Sequence, residues 1–284
     1  MRKLLLLLTF ILMFGSAAVR AQQKITANEV VAKHLASIGP AEVIASIKSR
    51  VMVGTSKLEA KIGTSSFITG PGQLASQGDK VLYALIFNSP NYPYEKAAFD
   101  GKDISLGLPN GNRTLLTDFL KAQGVILKDG LFTGALSTAW PLLDLKSKKG
   151  AKVEYAGTAK IDDRLCHKLK YSSGRTGDLK TTLYFDAETF HHVRTTYEYT
   201  TEPRIGRSST DTRSSSRVER YSLTEEFSDF KIAGKLTLPM TYVIKSTNEQ
   251  QIVSTQGANA LEWTFIVLQV YYDEPLEATM FKVS

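Results

Sequence analysis

The sequence contains a single cysteine, Cys166, among its 284 residues. One thiol cannot form a disulfide within the chain, so a packed core has to supply the stability. In the run LCHKL we expect Cys166 to be a small packing residue, with an exposed free thiol as the alternative. A linker rich in glycine and proline is also missing. Residues 22–284 are therefore compatible with a single large β-rich domain, a class that reaches about 250 residues.

Motifs for catalysis and cofactor binding are missing as well. The sequence has no phosphate-binding glycine loop, no Gly-x-Ser-x-Gly and no dinucleotide fingerprint. Asp162-Asp163 belong to a predicted turn, and Glu225-Glu226 lie on an alternating strand where one member faces solvent. Adjacent His191 and His192 point to opposite faces of a strand, and no further ligand has zinc-like spacing. We therefore predict no enzyme, no catalytic residue, no metal site and no cofactor.

A long apolar run occurs only at the start. Arg2 and Lys3 precede an apolar run over residues 4–14, and residues 19–21 include the small side chains that signal peptidase needs. The run is short for a membrane span, so we predict a cleavable signal peptide at residues 1–21, with an uncleaved anchor as the alternative. No cysteine lies near the cut. The mature chain is expected to be exported, soluble and not lipidated.

Charge of one sign is not in large excess. The chain has 35 basic and 28 acidic residues, and without the three basic residues of the predicted leader the formal charge is +4. This excess is too small to indicate nucleic acid as a partner. A polar loop at about residues 201–217 is predicted to be mobile. Its arginines and their neighbour Arg220 could contact anionic head groups, but a solvated loop is favoured because Ser and Thr dilute its field.

The region from 152 to 245 has the strongest pattern. Runs of alternating apolar and polar residues are separated by short turns at 161–163, 186–189 and 233–235, which is typical of antiparallel strands in sequential order. The turns predict three hairpins of one meander. Four apolar side chains of the last hairpin are expected on one face: Leu238, Met240, Tyr242 and Ile244.

Helices are predicted before this meander. Thr26 to Glu29 fits a capping box, after which apolar residues recur at helical spacing until Gly39, and Pro40 suits the first turn of a second short helix. Strands are then expected around residues 50–106. Their turns are predicted at Gly70-Pro71-Gly72 and Gly78-Asp79.

A helical insertion is predicted at about residues 112–146, between two halves of the sheet. Its apolar residues recur every three or four positions and are broken by glycines. The segment could be a lid over acyl chains or an ordinary core helix, because periodicity does not show what lies on its other side.

Two strands are apolar on both faces, which an antiparallel sheet with one wet face does not need. They lie at residues 81–87 and 263–268. One face can be covered by helices, and the other requires a second layer, a partner or a ligand. A sheet that curls on itself is the alternative explanation, because it covers its own interior. Phe281 is expected to fold the end of the chain onto the core.

Five stretches together resemble bacterial outer-membrane lipoprotein-sorting proteins of the LolA/LolB-like superfamily: EVVAKHLASIGPAEVIASIKSRVMVGT, FDGKDISL, AKVEYAGTAKIDDRLCHKLKY, LYFDAETFHHVRT and EEFSDFKIAGKLTLPMTYVI. The resemblance spans most of the mature chain. It implies an incurved, half-open antiparallel β-barrel with helices packed over the concave side, enclosing an apolar cavity for acyl chains. It also implies a carrier of lipid or lipoprotein instead of an enzyme.

These observations predict a mainly β (α+β) fold, an incurved antiparallel half-barrel meander with N-terminal helices and an inserted helical lid. The predicted function is a periplasmic carrier that shields the acyl chains of a lipid or lipoprotein, with at most transient membrane contact. The alternative is a structural or protein-interaction module of the cell envelope without lipid cargo, with a filled interior and an exposed apolar patch. Candidate cavity-lining residues for lipid are Tyr83, Leu85, Phe87, Phe119, Trp140, Tyr197, Tyr242 and Phe265.

Overall fold

The computed structural model describes residues 25–60, 66–175, 177–201, 219–250 and 260–283. Within these ranges the chain forms one twelve-stranded sheet, four α-helices and four short 3₁₀ segments. The predicted leader lies outside the described residues, and so does the predicted polar loop beyond Thr201. No helix of the described ranges combines the length and the apolar character that crossing a membrane requires.

The helical elements are few and short. The α-helices are Ala27–Ile38 (α1), Ala41–Ser46 (α2), Leu115–Ala122 (α3) and Val125–Lys128 (α4). The 3₁₀ segments are Pro109–Gly111, Gly134–Leu136, Pro141–Ser147 and Ala278–Phe281.

The strands form a single antiparallel sheet. They are Ser49–Ala60 (β1), Ser66–Gln77 (β2), Lys80–Ile86 (β3), Tyr94–Phe99 (β4), Ile104–Leu106 (β5), Lys152–Ile161 (β6), Arg164–Ser172 (β7), Lys180–Asp186 (β8), His192–Thr201 (β9), Glu219–Ala233 (β10), Leu236–Gln250 (β11) and Ala260–Tyr272 (β12). Their order is β5-β4-β3-β2-β1-β12-β11-β10-β9-β8-β7-β6. The chain thus makes two sequential meanders, which the pairing of β1 with β12 joins.

The sheet is open. β5 and β6 are its two edges, and no pairing between them closes the sheet in the part of the chain that the structure describes. One main cluster of buried apolar residues lies on the concave face and draws members from both meanders. This arrangement confirms the predicted incurved half-barrel.

The three hairpins predicted between 152 and 245 are present. Each strand from β6 to β11 pairs with the next. The turn between β6 and β7 consists of Asp162 and Asp163, both with left-handed backbone (φ 46° and 67°), as a tight two-residue turn requires. On β11, Leu238, Tyr242 and Ile244 are buried on the concave face. The period of two therefore predicted the inward face correctly.

The turn predicted at Gly70-Pro71-Gly72 is wrong, because these residues lie inside β2. Both glycines allow close packing. A Cβ at Gly70 would lie 2.1 Å from the carbonyl oxygen of Ile86, and one at Gly72 would lie 2.6 Å from the ring of Phe265. These glycines therefore serve close approach between neighbouring groups, which sequence pattern alone does not distinguish from a turn.

The first N-terminal helix begins and ends as predicted. The Thr26 hydroxyl accepts the N–H of Glu29 at 3.3 Å, while the Glu29 carboxylate accepts the N–H of Thr26 at 2.7 Å. This reciprocal pair is the capping box, and α1 ends before Gly39. α2 follows Pro40 and has no buried residue.

The inserted segment, residues 107–151 between β5 and β6, covers the concave face. It contains short helical pieces instead of long helices. Its buried apolar side chains belong to the same cluster as those of the sheet: Leu116, Phe119, Leu120, Ile126, Leu127, Leu131, Phe132, Leu136, Trp140 and Leu142.

The two strands that are apolar on both faces differ in how their convex faces are covered. The convex face of β3 packs on the C-terminal turn, where Phe281 is fully buried with Leu82 and Ala84 in a second apolar cluster. On β12, Ile266 and Leu268 are 45% and 67% exposed. The expected second layer is therefore present over β3, whereas on the convex face of β12 these two side chains are exposed in the described structure.

Candidate functional site

The eight predicted lining residues lie together. Each is at most 4% exposed, and all belong to the main apolar cluster on the concave face. Their neighbours are other protein side chains. Tyr83, for example, packs edge-on against Phe132 of the inserted segment, with ring centroids 5.3 Å apart. None of the eight side chains lines any of the four surface grooves that the described residues form near α1, β5 and the C-terminal segment. The concave face is thus closed by the inserted segment.

A carboxyl group lies in the centre of this apolar interior. Glu225 of β10 is fully buried and accepts the hydroxyl proton of Tyr197 at 2.6 Å and that of Tyr242. It also accepts the backbone N–H of Thr133 at 2.8 Å. Burial raises the pKa of Glu225 to about 7, although its three donors act in the opposite direction. Two of the predicted lining residues therefore position a carboxyl group that fastens the inserted segment.

The neighbouring Glu226 points the other way. Its carboxylate pairs with Arg194 at 2.7 Å and with Lys245 at 2.6 Å. The two members of the acid pair therefore lie on opposite faces of β10, as the alternating strand predicts.

A second carboxyl group holds the start of α3. Glu95 of β4 is 1% exposed and accepts the hydroxyl protons of Tyr92 and, at 2.9 Å, Thr114. Thr114 is the N-cap of α3. The indole N–H of Trp263 donates to the Tyr92 hydroxyl at 3.3 Å. Burial raises the pKa of Glu95 to about 7.

An aromatic and histidine cluster joins α1 to the inserted segment. The indole N–H of Trp140 donates to Nε2 of His34 at 3.2 Å, so His34 carries its proton on Nδ1, which faces the Phe190 carbonyl at 3.1 Å. His192 stacks on Trp140 with centroids 4.8 Å apart. Burial lowers the pKa of His34 to about 4 and that of His192 well below its usual value. Both imidazoles are therefore neutral packing groups near pH 7.

His191 lies outside this cluster, because it stacks on Phe230 with centroids 4.1 Å apart. Cys166 is buried and not bonded to another thiol. Across the described ranges, no group of three metal-ligating side chains is placed to hold a metal ion.

Arg50 of β1 fastens the inserted segment from the opposite side. Its Nη1 donates to the carbonyl oxygens of Ala135 and Leu136, at 2.8 Å and 3.1 Å, where a 3₁₀ turn ends. The side chain is 4% exposed, and its burial lowers the pKa to about 10, so it remains a cation at neutral pH.

The segment held by these bonds is locally strained. Thr133 has left-handed backbone (φ 68°), which is unfavourable for a β-branched residue. Beyond Gly107, no backbone-to-backbone hydrogen bond joins the inserted segment to a strand in the ranges described. Side-chain bonds and apolar packing alone therefore secure this cover.

Arg50, Glu95 and Glu225 are not among the site residues predicted from the sequence. A signal was present for the last of these, because Leu223, Glu225 and Phe227 share one face at a period of two. A charged residue between apolar residues on the inward face of one strand is the sequence pattern that would identify such a buried group.

The largest groove has a volume of about 940 Å³ and lies between α1, α2, the start of β1 and the end of the inserted segment. Its wall is mostly apolar and includes Leu35, Ile44 and Leu143, with Arg50 among the lining residues. A groove of about 470 Å³ near the edge strand β5 is bordered by Lys121, Lys128 and Arg175. A groove of about 490 Å³ lies on the convex face under the C-terminal segment. Another, of about 650 Å³, lies between β5 and the inserted segment.

No family model matches the sequence, and no curated protein is similar enough to match it. Solved structures do resemble it. A LolA superfamily protein from Nitrosomonas europaea is 12% identical, with 91% of this chain and 98% of that chain covered and a TM-score of 0.44. A DUF1329 family protein from Desulfovibrio piger is 10% identical, with 90% and 96% covered and a TM-score of 0.45.

A third similar structure is described as an outer membrane lipoprotein-sorting protein domain and comes from Vibrio parahaemolyticus. It is 12% identical, with 89% of this chain and 94% of that chain covered and a TM-score of 0.42. The resemblance noted in the sequence is thus to the same kind of protein. At these identities and TM-scores the function has to be argued from the geometry of this chain itself.

Proposed function

We propose that this chain is an exported carrier or binding protein that shields the acyl chains of a lipid or lipoprotein inside the half-barrel. The observation that carries the proposal is the cover of the concave face. The inserted segment closes a mainly apolar surface, yet beyond Gly107 no described backbone hydrogen bond ties it to the sheet. Such a cover can move away without breaking any strand pairing.

The energetics favour an exchange of one apolar occupant for another. Side chains such as Phe132 and Leu136 now fill the space that acyl chains would take. Each methylene that leaves water contributes about 0.8 kcal/mol, so a long acyl chain can offset the lost packing of these side chains. The polar contacts that hold the segment then have to open, among them those at Arg50, Glu95 and Glu225, and each of them involves a side chain and not a strand pairing.

The interior suits holding a molecule more than changing it. Its buried acids are bonded to tyrosine, threonine and backbone donors, and these leave an interior surface made mainly of aromatic and aliphatic groups. The proposal therefore assigns binding and transfer of acyl chains, without catalysis or a cofactor. An exported location follows from the leader predicted at residues 1–21, and lipid donors and acceptors would be envelope components.

The two tryptophans provide a direct test. Trp140 and Trp263 are the only tryptophans of the chain, and each is 1% exposed in the main cluster. A brominated fatty acid that enters the interior should quench their fluorescence, whereas the same acid without bromine should not. The variant Trp140→Phe leaves Trp263 as the sole reporter. Trp263 is bonded to Tyr92 and does not line the groove of about 940 Å³ beside Arg50. Absence of quenching, together with no lipid retained after gentle purification, would reject the proposal.

A second function is favoured by a specific observation. A structural or protein-interaction module of the envelope was expected to have a filled interior and an exposed apolar patch. Ile266 and Leu268 form such exposed positions on the convex face of β12. If this alternative is the function, the fluorescence of both tryptophans should remain unquenched by a brominated fatty acid. The same experiment therefore separates the two functions.

A further inference from the structure

Arg50 is a buried cation without an acidic partner. Within the described part of the chain, its hydrogen bonds go only to the carbonyls of Ala135 and Leu136, and none of the ion pairs includes it. Its Nε is shielded from solvent and has no hydrogen-bond partner. The ring of Tyr272 lies under the guanidinium, with its centroid 5.8 Å from the guanidinium carbon. A buried charge that lacks a counter-ion is costly unless an anion joins it.

The space beside Arg50 is apolar and open. The groove of about 940 Å³ that Arg50 lines falls within the range of small-molecule sites, roughly 300–1,000 Å³. Its walls come from the exposed face of α1, from α2, and from Leu143 of the inserted segment. Ile44 of α2 is only partly buried although it is a large apolar residue. An aliphatic chain would bury this apolar surface, since its methylene groups are apolar and need no hydrogen-bond partner.

We propose that this groove binds an amphiphile with an anionic head, the acyl chain lying between α1 and α2 and the head group pairing with Arg50. The site is separate from the closed interior. The inference shares with the proposed function only the premise that the chain binds acyl chains. It adds the class of head group, a carboxylate or a phosphate, that the ligand carries.

The charges around the groove favour an anion at this position. Arg50 and Asp144 are the only charged residues that line it. Asp144 is exposed, and its carboxylate accepts the N–H of Ser147 at 3.3 Å, so water and this donor solvate its charge. Arg50, in contrast, has no access to comparable solvation. A bidentate oxyanion is the partner that a guanidinium binds best.

Three ligands with the same alkyl length test the head group: laurate, dodecyl phosphate and dodecanol, titrated calorimetrically into the mature protein. We expect the preferred anion to bind at least about tenfold more tightly than the alcohol, the ratio that a charged hydrogen bond gives. Tighter binding of laurate assigns a carboxylate head, and tighter binding of dodecyl phosphate assigns a phosphate head. Equal affinity for dodecanol would overturn the inference.

Two variants locate the site. Ala45→Trp fills the groove from an exposed position of α2 without touching Arg50, and it should weaken anion binding by about tenfold or more. Ala278→Trp, at an exposed position of the C-terminal turn, is the matched control and should bind as the parent protein does. Arg50→Met should abolish the preference for an anion over dodecanol. Unchanged binding in Ala45→Trp would overturn the inference even if Arg50→Met failed to fold.

The outcomes also separate this site from the interior. If, in the Trp140→Phe background, brominated laurate quenches Trp263 equally with and without Ala45→Phe, which fills the groove without adding a tryptophan, and affinity is unchanged, the interior site stands and the groove site is rejected. If Ala45→Phe loses binding and Trp263 is never quenched in the Trp140→Phe background, the groove site stands and the interior function is rejected.

Discussion

Glu225 and Thr133 are joined by a hydrogen bond of 2.8 Å between a fully buried carboxyl group and a backbone N–H. The bond connects the centre of β10 to the strained turn of the inserted segment. Because the acceptor is a titratable group in an apolar interior, the strength with which the cover is held depends on pH. This relationship gives the first prediction.

The stability difference between the parent protein and Glu225→Gln should shrink as pH rises from about 5 to about 8. The folded-state pKa of Glu225 is raised to about 7 from an ordinary value of 4.5, so its contribution is complete below about pH 4.5 and is lost as pH rises through 7. The change should be on the order of 3 kcal/mol at most. Denaturant melts across this pH range measure it.

Comparison with a variant is needed because other buried groups titrate in the same window. Glu95 changes stability in the same direction, and His34, with its lowered pKa, changes it in the opposite direction. Glu226→Gln, which alters the outward-facing neighbour on β10, is the control. Its stability difference from the parent protein should not shrink in this way as pH rises. A pH-independent difference for Glu225→Gln would contradict the prediction.

Arg50→Met should loosen the inserted segment locally. The variant removes two hydrogen bonds from a charged donor, which together are worth about 1.5–3 kcal/mol or more. Hydrogen exchange of the Leu136 and Ser137 amides should accelerate, while exchange in the β10 and β11 pairing changes little. Lys48→Met, at a nearby exposed cation, serves as control. Equal acceleration throughout the sheet would show instead that Arg50 supports the whole fold.

Gly130→Ala should destabilise the protein by more than about 2 kcal/mol. Gly130 has left-handed backbone (φ 76°), and an added Cβ would lie 1.9 Å from the carbonyl oxygen of Ala139. Gly157→Ala is a matched control, because Gly157 is also left-handed (φ 85°) but has no atom within 4 Å of the added carbon. Gly157→Ala should lower the free energy of unfolding by only about 1–2 kcal/mol. Chemical denaturation of both variants would test whether the clash adds to the backbone strain.

Phe281→Ala should lower the free energy of unfolding by about 3–5 kcal/mol, which is typical when a core phenylalanine is truncated to alanine. Phe281 is fully buried against the convex face of β3, so the variant uncovers that face. Leu268→Ala removes an apolar side chain that is 67% exposed and should change stability by less than about 0.5 kcal/mol. Equal effects of the two substitutions in urea melts would contradict the assigned roles of the two convex faces.

Local pattern predicted many elements of this protein correctly. Alternation placed Tyr242 and Ile244 on the concave face, and the Thr26 capping box marked the start of α1. These features depend on residues within a few positions of each other, since strand period and helix caps are local properties. The eight predicted lining residues also share one cluster, because each lies on the apolar side of its own element.

The contacts that hold the cover could not be predicted in this way. Arg50 meets carbonyls 85 and 86 positions away, and Glu225 meets an N–H 92 positions away. The partner of Gly72 is likewise remote, which is why its role in packing resembled a turn signal.

The sequence by itself determined the strands, their inward faces and the apolar character of the interior, because hydrophobic periodicity acts residue by residue. Only the tertiary structure decided that the inserted segment fills this interior, that buried groups such as Arg50, Glu95 and Glu225 fasten it, and that an apolar groove remains open beside Arg50. Those outcomes depend on which distant surfaces meet, and the cost of burying a charge is defined only once its neighbours are in place.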